Sequence, residues 1–310
     1  MLYFENRSLD PYFNQAFEEY IFENYPDDEI LLLWRNGPAV VCGSYQNVFA
    51  EVNVPKAMDA GVAIVRRPSG GGTVYHDEGN LNYTYIRSCK AEEVTYGPFI
   101  EPMVKALNAI GIPAEMNRTC DIAIDGLKVS GSAQKIVKDR VLHHGTLLYR
   151  CDLKALKAIA NGQRDSFESK GTKSVPWPVT NMADHIAGKP MEMEDFMAGL
   201  KAEFEKMFSV EERKLTEEEL EKIRTAAREK YQNWDWTYGK SPAFTCKRRF
   251  EFNGEEIALS YSAKRGVIEE IEFTPAKKTW SDALRGKRLC AEELQELFAG
   301  EEKELYRYIF

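Results

Sequence analysis

Apolar and polar positions along this chain alternate in short blocks, and their spacing predicts a succession of strands and helices. Asp10-Pro11 reads as an N-cap followed by proline at the first helical position. Phe13, Phe17, Ile21 and Phe22 then fall on one helical face, predicting an amphipathic helix to about Tyr25. Two apolar runs, residues 30–34 and 39–42, flank Asn36-Gly37, a strong signal for a β-hairpin. Residues 62–65 read as a further short strand. Leu81, Tyr83 and Tyr85 alternate with Asn80, Asn82 and Thr84, the pattern of a half-buried strand. Residues 103–110 read as a helix stopped at Gly111, and residues 121–124 and 142–149 as strands.

From 193 to 231 the chain becomes helical and heavily charged, with Lys, Glu and Arg interleaved, which predicts a solvated helix face or connector. After Trp234-Asp235-Trp236 strands return. Residues 248–252, 257–262 and 267–273, joined at Asn253-Gly254 and Arg265-Gly266, form a three-strand meander, followed by a helix over about 291–298. The fold class expected is α+β, in two mixed units: a larger one over 1–235 and a small α+β one over 236–310. A length of 310 residues accommodates both.

Composition narrows the class. Apolar residues make up 44% and charged residues 29%, the balance of a globular protein. The longest apolar runs, such as 30–34, are far too short to cross a bilayer, so no membrane role is expected. Met1 to Glu5 offers no basic region followed by an apolar stretch and a small-residue cleavage site, so a cytoplasmic location is expected. Six cysteines (42, 89, 120, 151, 246 and 290) stand at least 31 residues apart. That spacing excludes a zinc ribbon or a CxxC redox motif and suggests buried or inert thiols. The net charge of −8 argues against nucleic-acid binding, though a local basic pocket is compatible with it.

The densest chemical signal is Arg66-Arg67-Pro68-Ser69-Gly70-Gly71-Gly72-Thr73-Val74-Tyr75-His76-Asp77. Three consecutive glycines let several backbone N–H groups turn toward one anion, and the preceding arginines add charge-assisted contacts. The bland alternative is a flexible surface loop. Neither GxxxxGK[ST] nor GxGxxG fits, because position 75 is tyrosine. His76-Asp77-Glu78 lacks the PCxxC partner of zinc deaminases, and no GxSxG elbow occurs. A second cluster runs from Asp125 to Gln134, where Lys128 among small residues can serve as a point charge against carboxylate and phosphate oxygens. A third is His143-His144-Gly145-Thr146. Adjacent strand residues face opposite ways, so at most one of the two histidines points into a given site, and a metal site lacks further ligands.

Taken together, Arg66 to Gly72 with His76-Asp77 and Gly79-Asn80, Lys128 to Ala133, and His143 to Leu148 closely resemble the lipoate–protein ligase A family. The resemblance extends to Asp10 to Asn14, Gln46-Asn47, Lys170-Gly171, Ser174-Val175 and Val179 to Asn181. Trp234 to Trp236 through Phe244 resembles the start of that family's accessory domain. It implies a catalytic fold related to class II aminoacyl-tRNA synthetases and biotin ligases. It also implies a two-step reaction, in which lipoate is activated by ATP, with Mg2+, to lipoyl-AMP and then transferred to an acceptor lysine. The implied acceptors are E2 lipoyl domains of 2-oxoacid dehydrogenases and the glycine-cleavage H protein.

The same resemblance distributes the site residues. Lys128 is the expected catalytic group, neutralising charge shared between carboxylate and α-phosphate. Arg67, Gly72, Thr73, Val74, Tyr75 and Lys128 are expected to hold ATP and the adenylate. Ser69, Gly70, Gly71, His76, Lys128 and His144 are expected to hold lipoate. Three positions depart from the family's usual pattern: Gly43-Ser44-Tyr45, Pro176-Trp177-Pro178, and Cys120 before Asp121. The last suggests a rival reading, a transferase carrying the acyl group on Cys120. The Gly-Gly-Gly run and the C-terminal segment weigh against it. A catalytically dead lipoate- or acceptor-binding module is a third reading, opposed by the intact Arg67, Gly70 to Gly72 and Lys128 set.

Overall fold

The computed structural model describes residues 1–90, 94–117, 120–160, 162 and 166–310. The chain opens with β1 (Leu2–Glu5), α1 (Pro11–Asn24), β2 (Ile30–Trp34) and β3 (Ala39–Cys42), then the short helices α2 (Val48–Glu51) and α3 (Val54–Asp59). Strands β4 (Ala63–Arg66), β5 (Val74–His76) and β6 (Asn80–Ser88) lead into α4 (Gly97–Ala109). After it come β7 (Glu115–Asn117), β8 (Asp121–Ile124), β9 (Leu127–Val137) and β10 (Arg140–Leu148). Next are α5 (Leu153–Ile159), β11 (Phe167–Ser169), α6 (Met193–Met207), β12 (Glu211–Arg213) and α7 (Glu217–Ala226). The short α8 (Trp234–Thr237) precedes β13 (Phe244–Phe252), β14 (Glu255–Lys264) and β15 (Val267–Thr274). Helices α9 (Lys278–Leu284), α10 (Ala291–Glu296) and α11 (Tyr306–Ile309) follow.

Among the described residues the strands form three sheets, and the fold is α+β with a mixed main sheet. The largest has the order β12-β1-β2-β6-β10-β9-β8-β7, a second β11-β13-β14-β15, and a small third β4-β3-β5. In the main sheet β1 runs parallel to β2 and β12, while β6, β10, β9 and β8 pair antiparallel. Alternation assigns each side chain to a layer. Leu31 and Leu33 face α4 and α6, joining Met103, Leu107, Phe196 and Leu200. Ile30, Leu32 and Trp34 face α1, joining Phe17, Ile21 and also Val41 and Val65 of the small sheet. The other face of the small sheet, through Val40, Cys42 and Ile64, shares one apolar cluster with Cys246, Leu259, Ile271 and Phe310. No helix among the described residues is long and apolar enough to cross a membrane.

Helix α1 starts where the sequence signal puts it. The Asp10 carboxylate accepts from the Tyr12 and Phe13 amides, and Pro11 opens the first turn. The meander also forms, with positive φ at Asn253, Gly254, Arg265 and Gly266, as two-residue hairpin turns require. Helix α4 begins at Gly97, six residues before the expected start, because prolines at 98 and 102 are accommodated in its first turns.

Three expectations are corrected. The runs flanking Asn36-Gly37 do not pair: β2 lies between β1 and β6, whereas β3 belongs to the small sheet. Neither residue takes the positive φ of a hairpin turn. Asn36 is instead buried, its amide bonded to Asn14 and His76, and the Gly37 amide donates to the Leu9 carbonyl. The sequence therefore turns a corner between two sheets. Strand β6 is buried on both faces rather than half-buried, since its polar face is covered by α1 and the small sheet. Finally, the charged stretch 193–231 is more than a solvated connector. Phe196, Leu200, Phe204, Ile223 and Tyr231 are buried, and β12 extends the main sheet.

Arg66 ties the small sheet to the C-terminal part. Its side chain is fully buried, and its guanidinium donates to the carbonyls of Thr237 (2.9 Å), Gly43 (2.9 Å) and Gln46 (2.9 Å) and to the Ser241 hydroxyl (3.1 Å). The Trp236 indole donates back to the Arg66 carbonyl at 2.8 Å. An ammonium group cannot reach these acceptors together. Arg66→Lys is therefore expected to destabilise the protein by about 3 kcal/mol, because several buried carbonyls lose charged partners. Urea unfolding checks this through a shifted midpoint at unchanged slope; a loss below about 1 kcal/mol would contradict the clip.

Candidate active site

Between the α1 side of the main sheet and the small sheet lies a cleft of about 440 Å³. Its floor crosses the strands from Trp34 through Asn82 and Thr146 to Gly131 and Asp121, residues in register or adjacent to it on β2, β6, β10, β9 and β8. Val41, Val74 and His76 of the small sheet form the opposing wall, with Gly71, Gly72, Thr73 and residues 172–175 over the opening.

The glycine loop is held from below by Arg67. Its guanidinium donates to the carbonyls of Val41 (3.0 Å), Gly70 (2.6 Å) and Gly72 (2.6 Å) and to the Ser69 hydroxyl (3.0 Å). Burial pulls its pKa down to about 10, so it stays charged near neutral pH. A direct contact of Arg67 to phosphate would compete with these loop carbonyls. Close approach sets the glycine requirement at Gly43, where an added Cβ would lie 2.2 Å from the Gly71 carbonyl oxygen.

Above the loop, residues 172–175 are strapped down by a polar network. The Ser174 hydroxyl donates to Glu51 (2.5 Å) and accepts from the Thr73 amide (2.9 Å) and from Gln46 Nε2 (2.9 Å). Gln46 Oε1 in turn accepts from the Gly43 amide and the Thr73 hydroxyl. Gln46, Ser174 and Glu51 thus shape the site, Ser174 at its opening and the other two from behind it. The sequence showed the first two only as parts of quoted motifs, and Glu51 not at all.

The two histidines of β10 part as strand geometry requires. His143 points toward α4, stacked on Phe99 at 5.2 Å and bonded to the Tyr83 hydroxyl. His144 points into the cleft, its Nδ1 2.9 Å from Glu18 and its Nε2 2.7 Å from the Ser69 hydroxyl. Glu18 also accepts from Thr84 at 2.6 Å. It sits on α1 one turn after Asn14, and this buried polar stripe beside the apolar face is a signal the helical reading passed over. Ser69 is buried beneath the loop, behind His144. Tyr75 alternates away from the cleft into the apolar cluster under the small sheet, so only its backbone remains near the site. Burial drives both His76 and His143 down to about 3, keeping them neutral.

At the other end, Lys128 Nζ lies 2.8 Å from Asp121 Oδ1. The lysine side chain crosses Gly131, where any Cβ would meet Nζ at 2.8 Å. Its backbone is bonded to the Pro178 carbonyl and the Thr180 amide, which seats the Pro176-Trp177-Pro178 loop beside it. Cys120 is half-buried in a turn facing the same cleft, not within a strand, with its thiol 3.7 Å from Asp121 Oδ1. Arg118, two residues before that thiol in the sequence, lies outside the described residues. No three His, Cys, Asp or Glu side chains among the described residues come together as a metal site.

Residues 10–205 match the model of the lipoyl protein ligase A/B catalytic domain. The chain belongs to the lipoate–protein ligase family. It is 36% identical over 279 residues to lipoate-protein ligase LplJ of Bacillus subtilis, covering 88% of this chain and 84% of that one. Among solved structures it is similar to a lipoate-protein ligase A bound with ATP (25% identity, TM-score 0.63, 77% of this chain and 98% of that one). It is equally similar to protein Ta0514 of T. acidophilum with bound lipoic acid (25% identity, TM-score 0.63, 74% and 94%). For this ligase, then, the structure gathers Gly71, Gly72, Thr73, Val74, Arg67, His76, Lys128 and His144 around one cleft, and sets Ser69 and the Tyr75 side chain behind it.

The buried neutral histidines give the ligase a pH signature. Unfolded, both titrate near 6.5. Between pH 6.5 and about 3 the unfolded chain binds protons that the native state excludes. Stability is therefore complete above 6.5 and falls as pH falls, by up to about 1.4 kcal/mol per pH unit for each histidine. Denaturant titrations at pH 7, 6 and 5 should show this decline, and His143→Phe, which keeps the stack on Phe99, should reduce the slope by about half. A flat profile would contradict the burial of neutral imidazoles.

Proposed function

We propose that this ligase activates lipoate with ATP and transfers it to a lysine of an acceptor protein, with Lys128 at the reacting centre. The observation that supports this reading is the polarity of one continuous cleft: Lys128, held by Asp121, at one end, and the buried, uncharged Trp34, His76 and Asn82 at the other. A long acid with its carboxylate at Lys128 suits that gradient. The solved relatives with ATP and with lipoic acid supply the two substrates by similarity.

In the first step a lipoate carboxylate oxygen attacks the α-phosphorus of ATP, the bond to the bridging oxygen breaks, and pyrophosphate leaves. Lys128 offsets the negative charge that collects between carboxylate and phosphate. The Gly72 to Val74 stretch, its Gly72 carbonyl held by Arg67 and its Thr73 amide by Ser174, would lie along the phosphates. Mg2+ would arrive on the triphosphate, since magnesium is commonly held by substrate phosphates with few protein ligands. In the second step the acceptor amine attacks the acyl carbonyl carbon, AMP leaves, and a proton is lost to water. Lipoyl domains and the H protein are the acceptors proposed. Residues 1–235 would carry the chemistry and 236–310 would support the adenylation step, consistent with the Arg66 clip between them.

Lys128→Ala is expected to lower lipoate-dependent ATP–pyrophosphate exchange on the order of 10²-fold or more, with the fold kept and the urea midpoint lowered only as far as the buried Asp121 carboxylate loses its partner. Near-normal exchange would remove Lys128 from the mechanism. Cys120→Ser should keep most ATP-dependent lipoylation, because the mixed anhydride already carries a good leaving group. A hydroxylamine-labile acyl adduct on Cys120, formed without ATP from an acylated donor protein, would overturn the ligase reading in favour of a cysteine transferase.

A further inference from the structure

The inner end of the cleft holds buried polar atoms that the proposed chemistry leaves without use. Gln15 Oε1, His76 Nε2 and Asn82 Nδ2 have no hydrogen-bond partner, although the three side chains are 1%, 3% and 2% exposed and all line the cleft. Orphaned buried groups are rare in folded proteins and point to a ligand or water that completes them.

The identity of the His76 nitrogen follows from backbone acceptors nearby. Asn14 Nδ2 donates to the carbonyls of Ser8 (2.9 Å) and Arg35 (2.7 Å), which fixes its amide. The same nitrogen faces Asn36 Oδ1 at 2.8 Å, so Asn36 presents its Nδ2 to His76 Nδ1 at 2.9 Å. His76 Nδ1 must accept, and the ring proton therefore resides on Nε2 as a donor facing the cleft. Asn82 bonds through one end of its amide to Asn80 Nδ2, and with the pair assigned this way round its own Nδ2 is a second donor. Gln15 adds an amide that can present either end. The cluster lies beside Trp34, whose Cα pairs with Asn82. From Asn82 to Gly131, under the Lys128 ammonium, is two strand spacings, or about 10 Å, the reach of an extended medium-chain acid.

We infer that Gln15, with His76 and Asn82, selects for the sulfur-bearing ring of lipoate over an unsubstituted alkyl chain of the same length. This deepens the proposed function and rests on it. Ring sulfurs accept weak hydrogen bonds from the two donors, directly or through a water. A straight chain such as octanoate presses on the same groups, excludes water and satisfies none of them.

The test compares lipoate and octanoate in ATP–pyrophosphate exchange on the full chain. The native protein is expected to favour lipoate by about tenfold or more in kcat/KM, and Gln15→Leu to shrink that ratio by about tenfold, mainly through better use of octanoate. Asn82→Leu supplies an independent second variant should Gln15→Leu fail to fold by circular dichroism. An unchanged ratio in a folded, exchange-competent variant, or equal use of both acids by the native protein, would overturn the inference. If neither acid supports exchange, the ligase reading itself fails. Calorimetric binding of the two acids to the native chain and to Gln15→Leu then decides the selectivity alone, equal affinities refuting it.

Discussion

The site hangs on two adjacent arginines whose guanidinium groups bind protein instead of ligand. Arg66 and Arg67 leave the end of β4 in opposite directions. One reaches backward to Thr237, Ser241 and the turn after β3, the other forward under Gly70 and Gly72. Both are buried, and both spend their donors on backbone carbonyls and hydroxyls. A planar five-donor group is the side chain able to close so many irregular turns at once. The glycine loop can then present its own amides outward, because its carbonyls are already held inward. Without this division the three glycines would be a mobile surface loop, and the C-terminal segment would lose its buried anchor.

Around that anchor the cleft is pre-set by charge and by hydrogen bonds. Neutral His76, His144 between Glu18 and Ser69, and the Lys128–Asp121 pair place one positive group where negative charge would gather, and enclose the remainder. The Gln46–Ser174–Glu51 network joins three separate segments over the opening. Such preorganisation is the larger part of what a protein would contribute to the proposed adenylate formation, since the activated phosphorus and its leaving group come with ATP.

Much of this was legible in the order of residues, for identifiable reasons. Helix α1, the meander and most strands carry local signals: an N-cap with proline, paired turn residues, alternating apolar positions. The site motifs were legible because chemistry restricts residue type, as with consecutive glycines that bring backbone close to a cleft or a lysine among small neighbours. The misreadings have one origin. Asn36-Gly37 has hairpin composition, but Asn36 is used by Asn14 and His76, so the chain crosses between sheets. In β6, Asn80, Asn82 and Thr84 look solvent-facing, yet another layer covers them. Helical residues 193–207 look like a charged connector because only one residue in three or four carries the buried face.

By itself, then, the sequence determined the α+β class, the family, and which residue types gather at the site, since these rest on local propensity and on motifs that tolerate little substitution. Only the tertiary structure decided which way each side chain faces and what it is bonded to. It turned His143 and Tyr75 away from the cleft and His144 into it, bent Arg66 toward residues 171 and 175 positions later in the chain, and put Glu18 against His144, 126 positions away. Such contacts cross layers, and no local periodicity encodes which layer will lie opposite.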